Sequence, residues 1–135
     1  MSSSSSTNIS FNHTIVAARD KKESAWFLTE LFDLPAPVSA GFFLSVKLDN
    51  CVTLDYAEPP VDFPPQHYAF LVGEDDFDRI YGKIVERGQE HWADPRQSEP
   101  GTFNTNDGGR GVYFLDPSGN YMEIITVPYG GWGPA

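Results

Sequence analysis

GVYFLDPSGNYMEIITV, residues 111–127, is the stretch that decides the fold. It predicts two strands joined by a tight turn, because proline presets φ in a turn and glycine tolerates its end. Residues two apart share a face of a strand, so Glu123 lies on one face with Tyr121 and Ile125. A carboxylate within such an apolar run faces water or has a partner that offsets its desolvation.

The rest of the chain repeats one order of elements before this hairpin is reached. Apolar residues that alternate with polar ones predict five strands, and apolar residues at helical spacing predict two helices. Asp20 is expected to begin the first helix and Gly88 to end the second. In chain order these are a strand at 9–17, a helix at 22–32, a hairpin of strands at 42–48 and 51–56, a strand at 66–72, a helix at 74–87 and a short strand at 90–93.

The order strand, helix, strand, strand therefore occurs twice, over residues 9–56 and 66–127, with little residue identity between the halves. A proline-rich loop at 58–65 joins them, and no domain boundary is evident. We expect one α+β domain over residues 9–127, with modules at 9–58 and 66–127. A long polar loop at 94–109 precedes the closing hairpin, and loops of this length are often functional.

Composition excludes several classes of partner. The formal net charge is -10, from 19 acidic and 9 basic residues, and there is no run of lysine or arginine. This argues against nucleic acid and against an anionic membrane surface, since both attract cationic side chains. No stretch is long and apolar enough to cross a membrane.

The ends of the chain and its one cysteine indicate a cytoplasmic protein. Residues 1–8 (MSSSSSTN) lack the basic and apolar regions of a signal peptide and are expected to be a disordered tail, with a second tail at 128–135. Cys51 has no partner for an internal disulfide, so the cytoplasm is the expected compartment. Its apolar strand predicts a buried, unreactive thiol.

Three predicted strands each place one strong metal-ligating residue type among apolar neighbours: His13, His67 and Glu123. A single histidine in a strand is usually a satisfied core or edge residue, and a single glutamate usually faces solvent. The joint pattern favours a site, because the two histidines occupy matching points of the two halves. Two imidazoles and one carboxylate can hold a divalent metal on one side and leave positions open for water or substrate.

The segments FNH at 11–13, QHYAF at 66–70 and VYFLDPSGNYMEI at 112–124 resemble the vicinal oxygen chelate superfamily. That group includes glyoxalase I, fosfomycin-resistance thiol transferases, extradiol dioxygenases and bleomycin-binding proteins. The resemblance implies paired βαβββ modules that form a curved, half-open mixed sheet around a metal. It places the ligands at His13, His67 and Glu123, and it implies a homodimer whose sites are completed across subunits.

The resemblance implies a metal-dependent enzyme that acts on a small molecule whose oxygens chelate Zn, Ni, Mn or Fe(II). Lyase or isomerase chemistry, thiol transfer and dioxygenation all stay open, and Glu123 is the expected catalytic residue. Glyoxalase I has a fourth ligand on the strand before the middle loop, where this chain has the shorter Asp55 as a pocket candidate. The alternative is a sequestering resistance protein without turnover, although bleomycin-type binders usually lack the metal triad.

Several further residues are candidates for the substrate pocket. Arg110 could pair with an anionic substrate group or, equally, bridge surface carboxylates. His91 is expected at the surface or at a pocket rim, and the sequence leaves open whether it joins the site. Five aromatic residues are predicted to line the pocket, and core packing is the alternative role for them: Tyr56, Trp92, Phe103, Tyr113 and Tyr121.

Overall fold

A computed structural model of the chain describes residues 7–131. Residues 1–6 and 132–135, which hold most of the two predicted tails, lie outside this range. Within it, the strands are β1 (His13–Ala17), β2 (Val38–Ala40), β3 (Phe43–Lys47), β4 (Thr53–Ala57), β5 (His67–Leu71), β6 (His91–Trp92), β7 (Gly111–Leu115) and β8 (Tyr121–Ile125). The helices are α1 (Lys21–Phe32) and α2 (Glu74–Glu86), with short 3-10 turns at Asn106–Gly108 and Tyr129–Gly131.

The strands form two separate four-stranded sheets with the same topology. The first sheet has the order β1-β4-β3-β2, and the second has the order β5-β8-β7-β6. In each sheet the first pair is parallel and the other pairs are antiparallel. The α+β class and the mixed, unclosed βαβββ architecture are therefore confirmed.

Helix ends follow the local chemistry that the sequence indicated. Asp20 caps α1, where its Oδ1 accepts a hydrogen bond from the backbone N–H of Glu23 at 3.0 Å. At α2 the bond runs in the reverse sense, since the side chain of Asp76, within the first turn, accepts from the backbone N–H of the N-cap residue Gly73. Gly88 has φ +65, the left-handed conformation expected after the second helix.

Two local expectations were wrong. The first strand begins at His13 rather than at residue 9, because the parallel partner β4 begins at Thr53 and pairs with His13. Cys51 is exposed in the turn between β3 and β4, where it has φ +68, and is not buried in a strand. The three-residue strand β2 was not predicted separately, since nothing in its short run distinguishes it from the following hairpin.

The core lies between one face of each sheet and the two helices. Every second side chain of a strand points into this core, for example Val16 in β1 and Phe70 in β5. The opposite faces are largely bare: Ile15 is 56% exposed and Leu71 is 48% exposed. Each sheet therefore has one covered face and one that nothing in the described chain covers fully.

The turn of the closing hairpin fastens the two modules together. Asp116 accepts hydrogen bonds from the backbone N–H groups of Ser118 (2.9 Å) and Asn120 (2.8 Å), and burial raises the pKa of its carboxyl group. The side-chain amide of Asn120 donates to the carbonyl of Ala17 at 2.9 Å and its oxygen accepts from the N–H of Gln66 at 3.0 Å. The turn thus joins the starts of both modules as well as β7 and β8.

We expect Asn120→Ala to lower the free energy of unfolding by about 3 kcal/mol, because it leaves buried backbone groups without hydrogen-bond partners. Urea denaturation followed by circular dichroism measures the change. The matched control is Asn50→Ala at an exposed turn, which should change stability by less than about 0.5 kcal/mol. Equal effects of the two substitutions would contradict this role of Asn120.

Candidate functional site

A buried carboxylate and a half-exposed imidazole meet on the bare face of the second sheet. Glu123, in β8, is 1% exposed, and its Oε1 lies 3.0 Å from Nε2 of His67 in β5, whose side chain is 46% exposed. The parallel register places His67 beside Tyr121, one step along the face from Glu123. The structure therefore brings together two of the three predicted metal ligands.

Tyr129, which the sequence did not indicate, covers this carboxylate. Its hydroxyl oxygen lies 2.6 Å from Oε1 and 2.7 Å from Oε2 of Glu123, and 3.2 Å from the hydroxyl group of Tyr113. Burial and the bond to Glu123 raise the pKa of the Tyr129 phenol. Sequence reasoning assigned residues 128–135 to a tail, because no periodic pattern links Tyr129 to the strand before it.

No lysine or arginine lies beside Glu123 among the described residues. Its hydrogen-bond partners are the hydroxyl group of Tyr129, which donates to it, and Nε2 of His67. The six ion pairs of the described chain include no lysine or arginine bound to Glu123. A buried carboxylate in this state would gain much from a bound cation.

The spacing of the two donors fits a metal ion. Two atoms that each lie about 2.1 Å from one ion are roughly 3.0 Å apart when they subtend a right angle. The observed separation of Nε2 and Oε1 is 3.0 Å. This separation is that of a hydrogen bond, and it is also compatible with an ion that His67 and Glu123 would hold together.

His13 does not join them within one chain. It lies on the bare face of the first sheet, and no cluster of three metal-ligating side chains forms among residues 7–131. Its Nδ1 lies 2.7 Å from the amide oxygen of Asn12, which accepts the Nδ1 proton. This bond leaves Nε2 of His13 as the atom available to a metal.

Asp55 shares the face of His13. It pairs with Ile15 across the parallel ladder, and its Oδ1 accepts a hydrogen bond from the hydroxyl group of Ser45 at 2.7 Å. Asp55 therefore lies on the first sheet, away from the pair formed by His67 and Glu123, and its orientation is set by Ser45.

A cavity of about 190 Å³ adjoins His67. Three of the predicted aromatic residues line it, and its walls are His67, Trp92, Pro95, Gln97, Tyr113, Phe114, Leu115 and Tyr121. Burial raises the pKa of the Tyr113 phenol, so this hydroxyl group stays protonated at neutral pH. The cavity is mostly apolar and suits a small ring or one part of a larger aromatic molecule.

Two other aromatic candidates and His91 have core or structural roles. Tyr56 is fully buried in the first module, and burial raises its pKa. Phe103 packs edge-on against Phe77 and Tyr81. Nε2 of His91 lies 3.0 Å from the hydroxyl group of Tyr81, and its Nδ1 donates to a backbone carbonyl, so both ring nitrogens are used.

Arg110 takes the second of the two roles that its sequence context allowed. Its guanidinium group binds Glu74 at 2.8 Å and Asp78 at 2.7 Å on α2, and it lies 4.4 Å from the ring centroid of Phe77. These contacts fasten the start of β7 to α2 and leave Arg110 outside the cavity lining.

Comparison with known proteins gives four informative similarities. The family model described as Glyoxalase/Bleomycin resistance protein/Dioxygenase superfamily matches residues 10–124. The chain is 53% identical to the solved structure named Oxidase ChaP-H1, with a TM-score of 0.89 and coverage of 92% of this chain and 100% of that chain.

Two sequence relatives are named as transferases. Glutathione transferase FosA of Serratia marcescens is 34% identical over 122 residues, which is 85% of this chain and 79% of that protein. Metallothiol transferase FosB of Lysinibacillus sphaericus (strain C3-41) is 25% identical over 126 residues, or 87% of this chain and 82% of that protein.

We expect Glu123→Gln to raise the free energy of unfolding of the metal-free protein by about 1 kcal/mol at pH 8, because it removes a buried charge and keeps both hydrogen-bond partners. Urea denaturation in the presence of EDTA measures it. Glu30→Gln, at an exposed carboxylate of α1, is the control and should stay within about 0.5 kcal/mol of the parent. A loss of 1 kcal/mol or more in Glu123→Gln would show that the negative charge is already compensated.

Proposed function

The chain belongs to the Glyoxalase/Bleomycin resistance protein/Dioxygenase superfamily, and we propose that it is a metal-dependent oxidase that acts on a small aromatic molecule. The observation that carries this proposal is the pair of His67 and Glu123, an imidazole and a buried carboxylate that meet beside an aromatic cavity without a lysine or arginine. The identity of 53% to a protein named an oxidase, over all of that protein, favours oxidation over the other chemistries of the superfamily.

The metal would be held by His67 and Glu123 of one chain and His13 of a second copy. Two histidines and one carboxylate are the ligand set of non-haem Fe(II) oxygenases, and they leave positions open to substrate. When bound, Fe(II) supplies the electrons that activate dioxygen, whereas Zn, Ni or Mn would supply Lewis-acid chemistry to the same ligands.

A second copy of the chain accounts for the position of His13. His13 and Ile15 lie on the bare face of the first sheet, and Leu71 lies on the bare face of the second. In a two-fold dimer the first sheet of one copy would cover the second sheet of the other, and both sites would form at once. The metal site and the dimer are thus one proposal.

The remaining residues of the site bind and orient the substrate. Trp92 and Tyr121 offer apolar walls to an aromatic ring, and they exclude water from the region next to His67. The hydroxyl group of Tyr113 donates its one proton to Tyr129, because Tyr129 donates to Glu123, so Tyr113 offers a substrate a hydrogen-bond acceptor at the same place. Asp55 would line the opposite wall, from the second copy.

Thiol transfer is the second candidate function, and the identity of 34% to a glutathione transferase favours it. It would use the same metal ligands with a thiol and an electrophilic substrate. The third outcome is binding without turnover, for which the superfamily's bleomycin-resistance members are the precedent.

We expect the purified protein to bind close to one divalent metal ion per chain and to lose it in His67→Ala, Glu123→Ala and His13→Ala, because each removes a proposed ligand. The cross-subunit arrangement has a sharper consequence. When His13→Ala and Glu123→Ala chains are mixed and allowed to exchange, half of the dimers are mixed and one of their two sites is intact, so about a quarter of the metal content returns.

Metal analysis after gel filtration measures this recovery, and Tyr121→Phe is a control that removes no ligand. A mixture that recovers no metal, although its chains exchange, would contradict a site built across subunits. Full metal content in His13→Ala alone would contradict the role of His13.

We expect Fe(II)-loaded protein to consume dioxygen with aromatic substrates that carry neighbouring oxygens, at a rate about tenfold or more above that of Glu123→Ala. An oxygen electrode measures the uptake. Loss of glutathione in the presence of Mn(II) and an electrophile, without dioxygen uptake, would instead support thiol transfer. Neither reaction, with stoichiometric ligand binding, would support a sequestering protein.

A further inference from the structure

We propose that Tyr129 closes the chelating side of the Glu123 carboxylate, so that this residue offers a metal one oxygen, Oε1, instead of two. This inference rests on the proposed metal site and concerns how many of its positions stay open. Tyr129 would be a positioning residue, since it acts on the metal through Glu123.

The position of the Tyr129 hydroxyl group is the first argument. Its oxygen is almost equidistant from the two carboxylate oxygens, at 2.6 Å from Oε1 and 2.7 Å from Oε2. A hydroxyl group has one proton, and a simple hydrogen bond would draw it toward one oxygen. Near-equal distances show that it contacts both oxygens, so an ion that chelates the carboxylate would compete with it for those two oxygens.

The approach of His67 is the second argument. Its Nε2 lies 3.0 Å from Oε1 of Glu123, whereas Tyr129 holds Oε2 as well as Oε1. An ion bound to Nε2 of His67 would therefore contact Oε1 of Glu123, from the side that Tyr129 does not cover. The carboxylate is 1% exposed, so it has little room to turn and present its other oxygen.

Tyr129 is itself held in place. Its hydroxyl group lies 3.2 Å from that of Tyr113, which lies on β7 directly across the antiparallel ladder from Glu123. The tyrosine belongs to the short turn Tyr129–Gly131 that follows β8 and returns over the sheet. The contact with Tyr113 thus holds the hydroxyl group of Tyr129 in place from the strand β7.

The consequence is one additional open position on the ion. Three single-atom protein ligands leave about three positions of a six-coordinate ion, whereas a chelating carboxylate would leave about two. Three positions accommodate two substrate oxygens together with one further small molecule, which an oxidase needs and a simple Lewis acid does not. Tyr129 would thereby help to set the reaction class.

The test counts the exchangeable waters on bound Mn(II) by field-dependent water-proton relaxation in the full-length protein. We expect about three waters in the parent and about two in Tyr129→Phe, because the carboxylate is then free to chelate. Tyr68→Phe is the matched control, since Tyr68 lies on the core face of β5 and makes no described hydrogen bond to Glu123; it should keep about three. Thermal melting checks that each variant is folded.

The outcomes separate this inference from the proposed function. Equal water counts in the parent and Tyr129→Phe, with Mn(II) bound to both, would overturn the role of Tyr129 and leave the metal site standing. A weaker affinity without a change in water count would likewise overturn it, because Tyr129 would then only orient the carboxylate. A parent protein that binds no divalent metal would overturn both.

Discussion

The buried charge of Glu123 is the constraint on which the arrangement of this site depends. A carboxylate that is 1% exposed is costly to keep in an apolar sheet unless its neighbours stabilise it. The neighbours here are one imidazole and one phenol, whose hydrogen bonds orient the carboxylate. The hairpin that carries Glu123 is anchored to both modules through its turn, so the position of this carboxylate is fixed by the fold.

The two bare sheet faces explain why the three candidate ligands do not meet within one chain. Each module covers one face of its sheet with helices and leaves the other face bare, with His13 on one bare face and His67 on the other. Two sheets with similar bare faces are complementary in a two-fold pair. Apolar burial between copies and completion of the site would then be one event, so that a folded but unpaired chain would have an incomplete site.

The sequence predicted correctly those features that depend only on neighbouring residues. The turn residues between β7 and β8, the cap at Asp20 and the αL position at Gly88 depend on neighbours within a few residues, and the structure has each of them. The two-residue period of a strand likewise predicted that Glu123 and Tyr121 share one face. Reasoning failed for Cys51, because strand propensity extends into a turn whose positive φ is imposed by the pairing of β3 with β4.

The sequence by itself determined the α+β class, the two-module order and the identity of three metal-ligating candidates, because periodicity and residue chemistry are written along the chain. Only the tertiary structure decided which candidates meet. Arg110 forms an ion pair with Glu74 on α2 and lies outside the cavity lining. Tyr129, which belongs to a segment without a periodic pattern, lies over Glu123. Both outcomes depend on distances between strands and helices far apart in sequence, which no local pattern encodes. The closing hairpin therefore anchors both modules as well as carrying Glu123.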